Sequence, residues 1–199
     1  VPTAPIVKDL KKRLLENYKS ILLEPRFDLR VNNSINRDRI IKLLLSNGIS
    51  AKKSIFSPLC VTIPKRIQEK KINAIKNNFF EIQDEGSQIV TILSGARSGM
   101  RVLDYCAGRG TKTIALLEQI KGNGNLYAYE KNQERLNFLR QRLKVLGLEK
   151  KIIIFNKDEK FKNYFDLVLL DVPCTGSGVW RRRPESIIKI NKENFKKYL

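Results

Sequence analysis

The chain has 199 residues, 42% of them hydrophobic, enough for one full domain or a domain and a half with a core of its own. Lys and Arg number 39 against 20 Asp and Glu, with no His, so the net charge of +19 predicts an anionic partner, most simply nucleic acid. The widely spaced Cys60, Cys106 and Cys174, with no His beside them, exclude a zinc site and fit a reducing cytosol, and neither a membrane-length apolar run nor a signal-peptide core is present.

An AT-rich gene, which favours Lys, Asn and Ile, would give the same basic excess, so charge alone does not decide the partner. Residues 8–23 carry Leu10, Leu14, Leu15, Tyr18, Ile21 and Leu22 at helical spacing, and Pro25 ends that helix. Phe27-Asp28-Leu29-Arg30-Val31 alternates as a strand. Arg37 to Asn47 reads as a helix closed by Gly48. Ile55 to Ile63 is strand-like but broken by Pro58. Ile67 to Asn77 has helical spacing, and residues 79–83 read as a strand. Residues 25–84 thus form a small α+β module after an N-terminal linker helix at 1–24. Ser87 to Leu93 is a helix ending near Gly95.

From Arg101 the pattern becomes strand–helix alternation: strands at 102–105, 126–129, 152–155 and 166–170, helices at 114–120 and 133–146. The second helix has Asn132 as N-cap and Gly147 as C-cap. This rhythm predicts an α/β fold with a parallel sheet and right-handed crossovers over 85–199, and a basic tail from 181 that ends as a helix.

Ligands bind such sheets beyond the carboxyl ends of the strands. The first strand ends in Cys106-Ala107-Gly108-Arg109-Gly110-Thr111-Lys112, where glycines let the backbone approach a ligand and the following helix offers free N–H groups. The spacing fits neither a P-loop nor the dinucleotide fingerprint. Glu130, about 20 residues on, ends the second strand where a carboxylate accepts from a ribose diol. Asp158 follows the third strand, where an acid binds an adenine amino group. Asp171 follows the fourth, with Cys174 on a loop shaped by Pro173 and the glycines of Thr175-Gly176-Ser177-Gly178. Each acid alone reads equally well as a solvated loop residue. Three at successive strand ends around a glycine loop make a nucleoside-shaped site.

Five segments then occur in one order: Phe27-Asp28-Leu29-Arg30-Val31-Asn32; Ile82-Gln83-Asp84-Glu85-Gly86-Ser87; Leu103-Asp104-Tyr105-Cys106-Ala107-Gly108 with Lys112-Thr113; Asp171-Val172-Pro173-Cys174-Thr175-Gly176; and Arg181-Arg182 with Pro184. With them residues 25–199 resemble the Sun/Fmu family of ribosomal RNA cytosine-5 methyltransferases. Arg109 and Thr111 depart from that family's usual Pro and Gly, and Glu130 is often Asp there.

The resemblance implies a Rossmann-like methyltransferase sheet and S-adenosylmethionine bound by residues 106–112, Glu130, Asp158 and Asp171. It implies RNA binding by 25–84, with Arg181 and Arg182 on phosphate near the target base. The family uses two cysteines: a nucleophile in a Thr-Cys-Ser motif, and the Pro-Cys cysteine, here Cys174, which assists product release. No Thr-Cys-Ser occurs in this sequence and it lacks an initiator Met, so the expectation is a fragment of a longer enzyme, inactive by itself. The stretch ending in Leu23-Glu24-Pro25 suits the small-subunit rRNA branch. Two other readings stand beside this one: a DNA cytosine-5 methyltransferase with Cys174 as nucleophile, and a non-catalytic RNA-binding protein that keeps a relict cofactor fold.

Overall fold

A computed structural model describes Lys12 and residues 23–75, 79–155 and 161–187. The helix expected at 8–23, Asp158 and the helical end of the tail lie outside the described residues. The chain divides into two compact units, Arg26–Val172 and, separately, Val1–Pro25 with Pro173–Leu199.

The larger unit contains two sheets. The first is antiparallel, with strands β1 (Phe27–Val31), β2 (Lys52–Lys53), β3 (Cys60–Ile63) and β4 (Phe80–Ile82) in the order β2-β3-β1-β4. β1 lies between β3 and β4, pairing Leu29 with Val61 on one side and with Ile82 on the other. Helix α1 (Arg37–Ser46) starts at Asn36, whose side chain accepts from the Asp38 N–H, and buries Ile40 and Leu44. With Leu29, Val31, Ile72 of helix α2 (Glu69–Ile75) and Phe80 they make this sheet's core. The turn before β3 holds Pro58, so pairing begins only at Cys60. β2 is two exposed lysines, without the apolar alternation that marks a strand.

Helix α3 (Glu85–Leu93), capped by Asp84 accepting from the Gly86 N–H, leads to the second sheet. Its strands β5 (Arg101–Asp104), β6 (Asn125–Ala128), β7 (Ile152–Ile154) and β8 (Leu167–Leu169) are parallel, in the order β7-β6-β5-β8. The crossovers are α4 (Thr111–Gln119) between β5 and β6 and α5 (Gln133–Val145) between β6 and β7. Leu116 and Ile120 from the first crossover and Leu139 and Leu143 from the second pack on Val102, Leu126 and Ala128, all nearly inaccessible.

Among the described residues, aromatic rings from 161–165 pack on the other face. Tyr127 meets Phe161, Tyr164 and Phe165 edge-on, with centroids 5.1–5.7 Å apart, in the offset geometry aromatic quadrupoles favour. The Tyr127 and Tyr164 hydroxyls share a hydrogen bond of 2.6 Å. Among the described residues β8 pairs only with β5, and Val168, Leu170 and Val172 are about half exposed beside it.

The two sheets are tied by charged groups. Arg30 of β1, 2% exposed, donates through Nε to Gln83 Oε1 at 2.8 Å and through Nη1 to Glu118 of α4. Arg142 of α5 donates to Glu81 of β4.

Candidate functional site

β5 and β6 end side by side, and the loop after β5 is pinned by its neighbours. The Tyr105 N–H donates to Leu169 O at 3.0 Å and the Ala107 N–H to Tyr129 O at 3.0 Å. The chain then turns through Gly108 (φ 56°) and Gly110 (φ 82°), both in the left-handed region that glycine enters at no steric cost. A Cβ on Gly108 would find only Cys106 O, 4.0 Å away, so the loop's surface is open to a ligand. Gly110 is the N-cap of α4 and provides no side-chain cap, leaving first-turn N–H groups for another acceptor. The helix starts three residues before its apolar stretch, because Thr111-Lys112-Thr113 form a polar first turn over the site.

Glu130 is 9% exposed and holds this loop. Its Oε2 accepts from the Gly108 N–H at 2.9 Å and its Oε1 from the Asn132 N–H at 2.8 Å, linking the loop to the start of α5. Lys112 reaches across the strand ends to Asp171, with Nζ to Oδ2 at 2.6 Å, and lies 3.4 Å from Ser87 Oγ. Glu130, Lys112 and Asp171 therefore surround the glycine loop at the carboxyl ends of β5, β6 and β8, as their sequence positions suggest. Tyr105 stacks on Tyr129 at 4.8 Å, and Tyr129 on Phe155 at 5.4 Å, along the same ends.

The two departures in the loop are absorbed by α5. Arg142 donates to Arg109 O at 2.9 Å and to Thr111 Oγ1 at 3.1 Å, and the Arg109 guanidinium lies 4.7 Å from the centre of the Phe138 ring. None of these contacts is visible in local sequence.

Asp104 had no role of its own in the sequence reading beyond its place in a motif. It is 1% exposed; Oδ2 accepts from Thr113 Oγ1 at 2.7 Å, while Oδ1 has no partner among the described residues. Burial pushes its carboxyl up to about 6, against the lowering effects of the Thr113 hydrogen bond and the Lys112 charge.

A carboxyl with a raised native pKa binds its proton more tightly folded than unfolded. Stability is then greatest at low pH and falls as pH rises from about 4 to about 6. At about 1.4 kcal/mol per pKa unit the fall is about 3 kcal/mol. Asp166, held down to about 2 by the Arg101 side chain and N–H, acts only below that window and with the opposite sign. Denaturant unfolding of the chain and of Asp104→Asn, compared across pH, is expected to differ by a curve that falls between pH 4 and 6.5. A level difference curve refutes the assignment.

The cysteines divide by environment. Cys60 is buried and its thiol pushed up to about 11, mainly by desolvation. Cys106, half-buried, is also raised, by burial first and then by Glu130, Asp104 and Asp171. Cys174 is exposed, in the smaller unit. In that unit Arg181 Nη2 donates to Glu24 O at 3.2 Å. Among the described residues no group of three or more His, Cys, Asp or Glu is placed to hold a metal, and no helix is long and apolar enough to cross a membrane.

Comparison with known proteins adds a lineage to this geometry. The family model for 16S rRNA methyltransferase RsmB/F matches residues 90–199. Ribosomal RNA small subunit methyltransferase B of Pseudomonas syringae pv. tomato is 30% identical over 195 residues, covering 94% of this chain and 43% of the relative. The Escherichia coli (strain SMS-3-5) protein of the same name is 28% identical over 191 residues, covering 90% and 44%. The chain thus spans less than half the length of the curated relatives it matches. The crystal structure of PH0851 superposes with a TM-score of 0.83 at 24% identity, covering 96% of this chain and 46% of that one, which establishes the shared fold.

Proposed function

This chain belongs to the 16S rRNA methyltransferase RsmB/F family, and from that premise we propose that its protein methylates carbon 5 of a cytosine in small-subunit ribosomal RNA, in the cytoplasm, with S-adenosylmethionine as donor. One observation carries the reading: Glu130, the Gly108–Gly110 loop and the Lys112–Asp171 pair converge at the carboxyl ends of three parallel strands.

The residues fit the donor. A carboxylate has about four acceptor sites, and Glu130 uses two on backbone N–H groups, which leaves two for a ribose diol. The open surface at Gly108 admits the ligand close to the backbone. Residues 106–112 line that approach, and Asp158 is assigned to the adenine amino group. S-adenosylmethionine supplies an electrophilic methyl group on a sulfonium.

Carbon 5 of cytosine is a poor nucleophile until a thiolate adds to carbon 6. Cys60 and Cys106, both raised, are poor candidates for any thiolate role. Cys174 is exposed and is assigned to releasing the product, as in the family whose Thr-Cys-Ser cysteine attacks. Asp171 is assigned to the cytosine ring beside N3, where an acid stabilises the adduct. Arg181 and Arg182 are assigned to phosphate near the target base, and 25–84 to the RNA around it. The overall charge of +19 supports an RNA partner.

Calorimetric titration with S-adenosylmethionine tests the site. A hydrogen bond to a charged group contributes about 1.5–3 kcal/mol, so Glu130→Ala is expected to bind the donor about tenfold more weakly or worse. Equal affinity of the two proteins would remove Glu130 from the site.

A further inference from the structure

A cleft of about 620 Å³ opens within the larger unit, away from the strand ends described above. Lys121 and Gly122, just beyond α4, line it, as do Leu148 and Lys151, between α5 and β7. Both helices run back from the carboxyl ends of the strands, so these residues lie at the amino ends. The first sheet contributes Arg30 of β1 and the turn Asn32-Asn33-Ser34 that follows it.

The chemistry of the lining is that of an anion site with an apolar floor. Its two carboxylates are already paired, Glu118 with Arg30 and Glu81 with Arg142. Lys121 and Lys151 are exposed at the rim, and neither forms an ion pair among the described residues. Arg30 is 2% exposed, and its Nη2 has no hydrogen-bond partner among the described residues. That nitrogen is itself inaccessible, so the groups the cleft presents to a ligand are the two lysines and Asn33. Lys121 adopts φ 53° as the left-handed residue that closes α4 after its C-cap Ile120. Leu117, Leu148 and Ile114 supply apolar surface below, and the exposed amide of Asn33 offers both donors and an acceptor.

We propose that this cleft holds one nucleotide of single-stranded RNA, its phosphate between Lys121 and Lys151 and its base over the apolar floor beside Asn33. The site is separate from the donor site and grips the substrate RNA at a distance from the reacting cytosine. The inference rests on the RNA reading given above. Base-edge recognition by amides and phosphate neutralisation by lysines are the usual division of labour in RNA binding.

The test is binding of a fluorescent unstructured RNA 12-mer to the chain across a salt series. Lys121→Ala/Lys151→Ala removes the two exposed side chains around the one phosphate and is expected to bind several-fold more weakly, with a log–log salt slope shallower by about 0.7. Arg140→Ala/Lys144→Ala, which removes the same charge from the exposed face of α5, is expected to change both far less. RNA carrying 4-thiouridine is expected to crosslink to peptides containing Asn33 or Lys151. Equal weakening by the two double variants, with crosslinks elsewhere, overturns the cleft while leaving RNA binding intact. Failure of the unaltered chain to bind RNA overturns both readings. Saturable binding of free cytidine monophosphate that the lysine variant loses, without an effect on RNA, makes the cleft a small-molecule site instead.

Discussion

Gly110→Ala is expected to destabilise the larger unit by about 3–4 kcal/mol and to abolish measurable binding of S-adenosylmethionine. Two effects add. At φ 82° an alanine pays the left-handed penalty of about 1–2 kcal/mol. Its Cβ would also overlap Cδ1 of Leu139. Leu139 is fully buried among Ala107, Ile114 and Leu136, so it has no free space to turn into. Overpacking of this kind costs about 1–3 kcal/mol. Relief would come from moving α5 away from the loop, and α5 carries Arg142, which holds Arg109 O and Thr111 Oγ1. The donor loop would lose its shape with the packing.

Gly147→Ala is the internal control. Gly147 has φ 66°, and a Cβ there would meet nothing within 4 Å, so only the backbone term applies. Denaturant unfolding is expected to place Gly147→Ala about 1 kcal/mol below the unaltered chain and Gly110→Ala well below that. Equal losses at the two positions refute the role given to Leu139.

The comparison of Gly110 with Arg30 shows which parts of the chain a sequence can convey. Strands β5 and β6 announce themselves because a central parallel strand is buried on both faces and so selects a continuous apolar run such as Leu126-Tyr127-Ala128. Glu130 and Asp171 are legible because strand ends locate them. The start of α4 is not legible in the apolar pattern because its first turn is Thr-Lys-Thr, where the helix serves the site and not the core. β2 leaves no signal in the sequence, because an edge strand of two exposed lysines has no hydrophobic period. The Lys112–Asp171 pair spans 59 positions and the Arg30–Glu118 pair 88, and no local pattern encodes either. Arg30 alternates with Leu29 and Val31 as an outward residue of an ordinary amphipathic strand would, yet it is as buried as they are. The helix that covers it is 80 and more residues away in sequence.

That burial sets the size of the last effect. Arg30→Met keeps the length and the apolar stem of the side chain while removing its charge and its donors. Glu118, whose side chain is 16% exposed, and Gln83, 4% exposed, would then each lose a partner. Breaking a buried ion pair from one side costs about 3–5 kcal/mol, because the remaining charge stays desolvated. The partial exposure of Glu118 places this case near the lower end, at about 3 kcal/mol. The exposed pair Lys53–Asp38, at 44% and 54%, is the contrast. Lys53→Met is expected to cost less than about 1 kcal/mol, since such pairs gain little over water. A double-mutant cycle separates attraction from desolvation. If the loss in Arg30→Met comes from a stranded carboxylate, Arg30→Met with Glu118→Leu recovers about 2 kcal/mol of it, because two apolar side chains replace a buried pair at little net cost. Additive losses in the cycle would mean that the two side chains stabilise their sheets independently, and that the contact between β1 and α4 does not couple them.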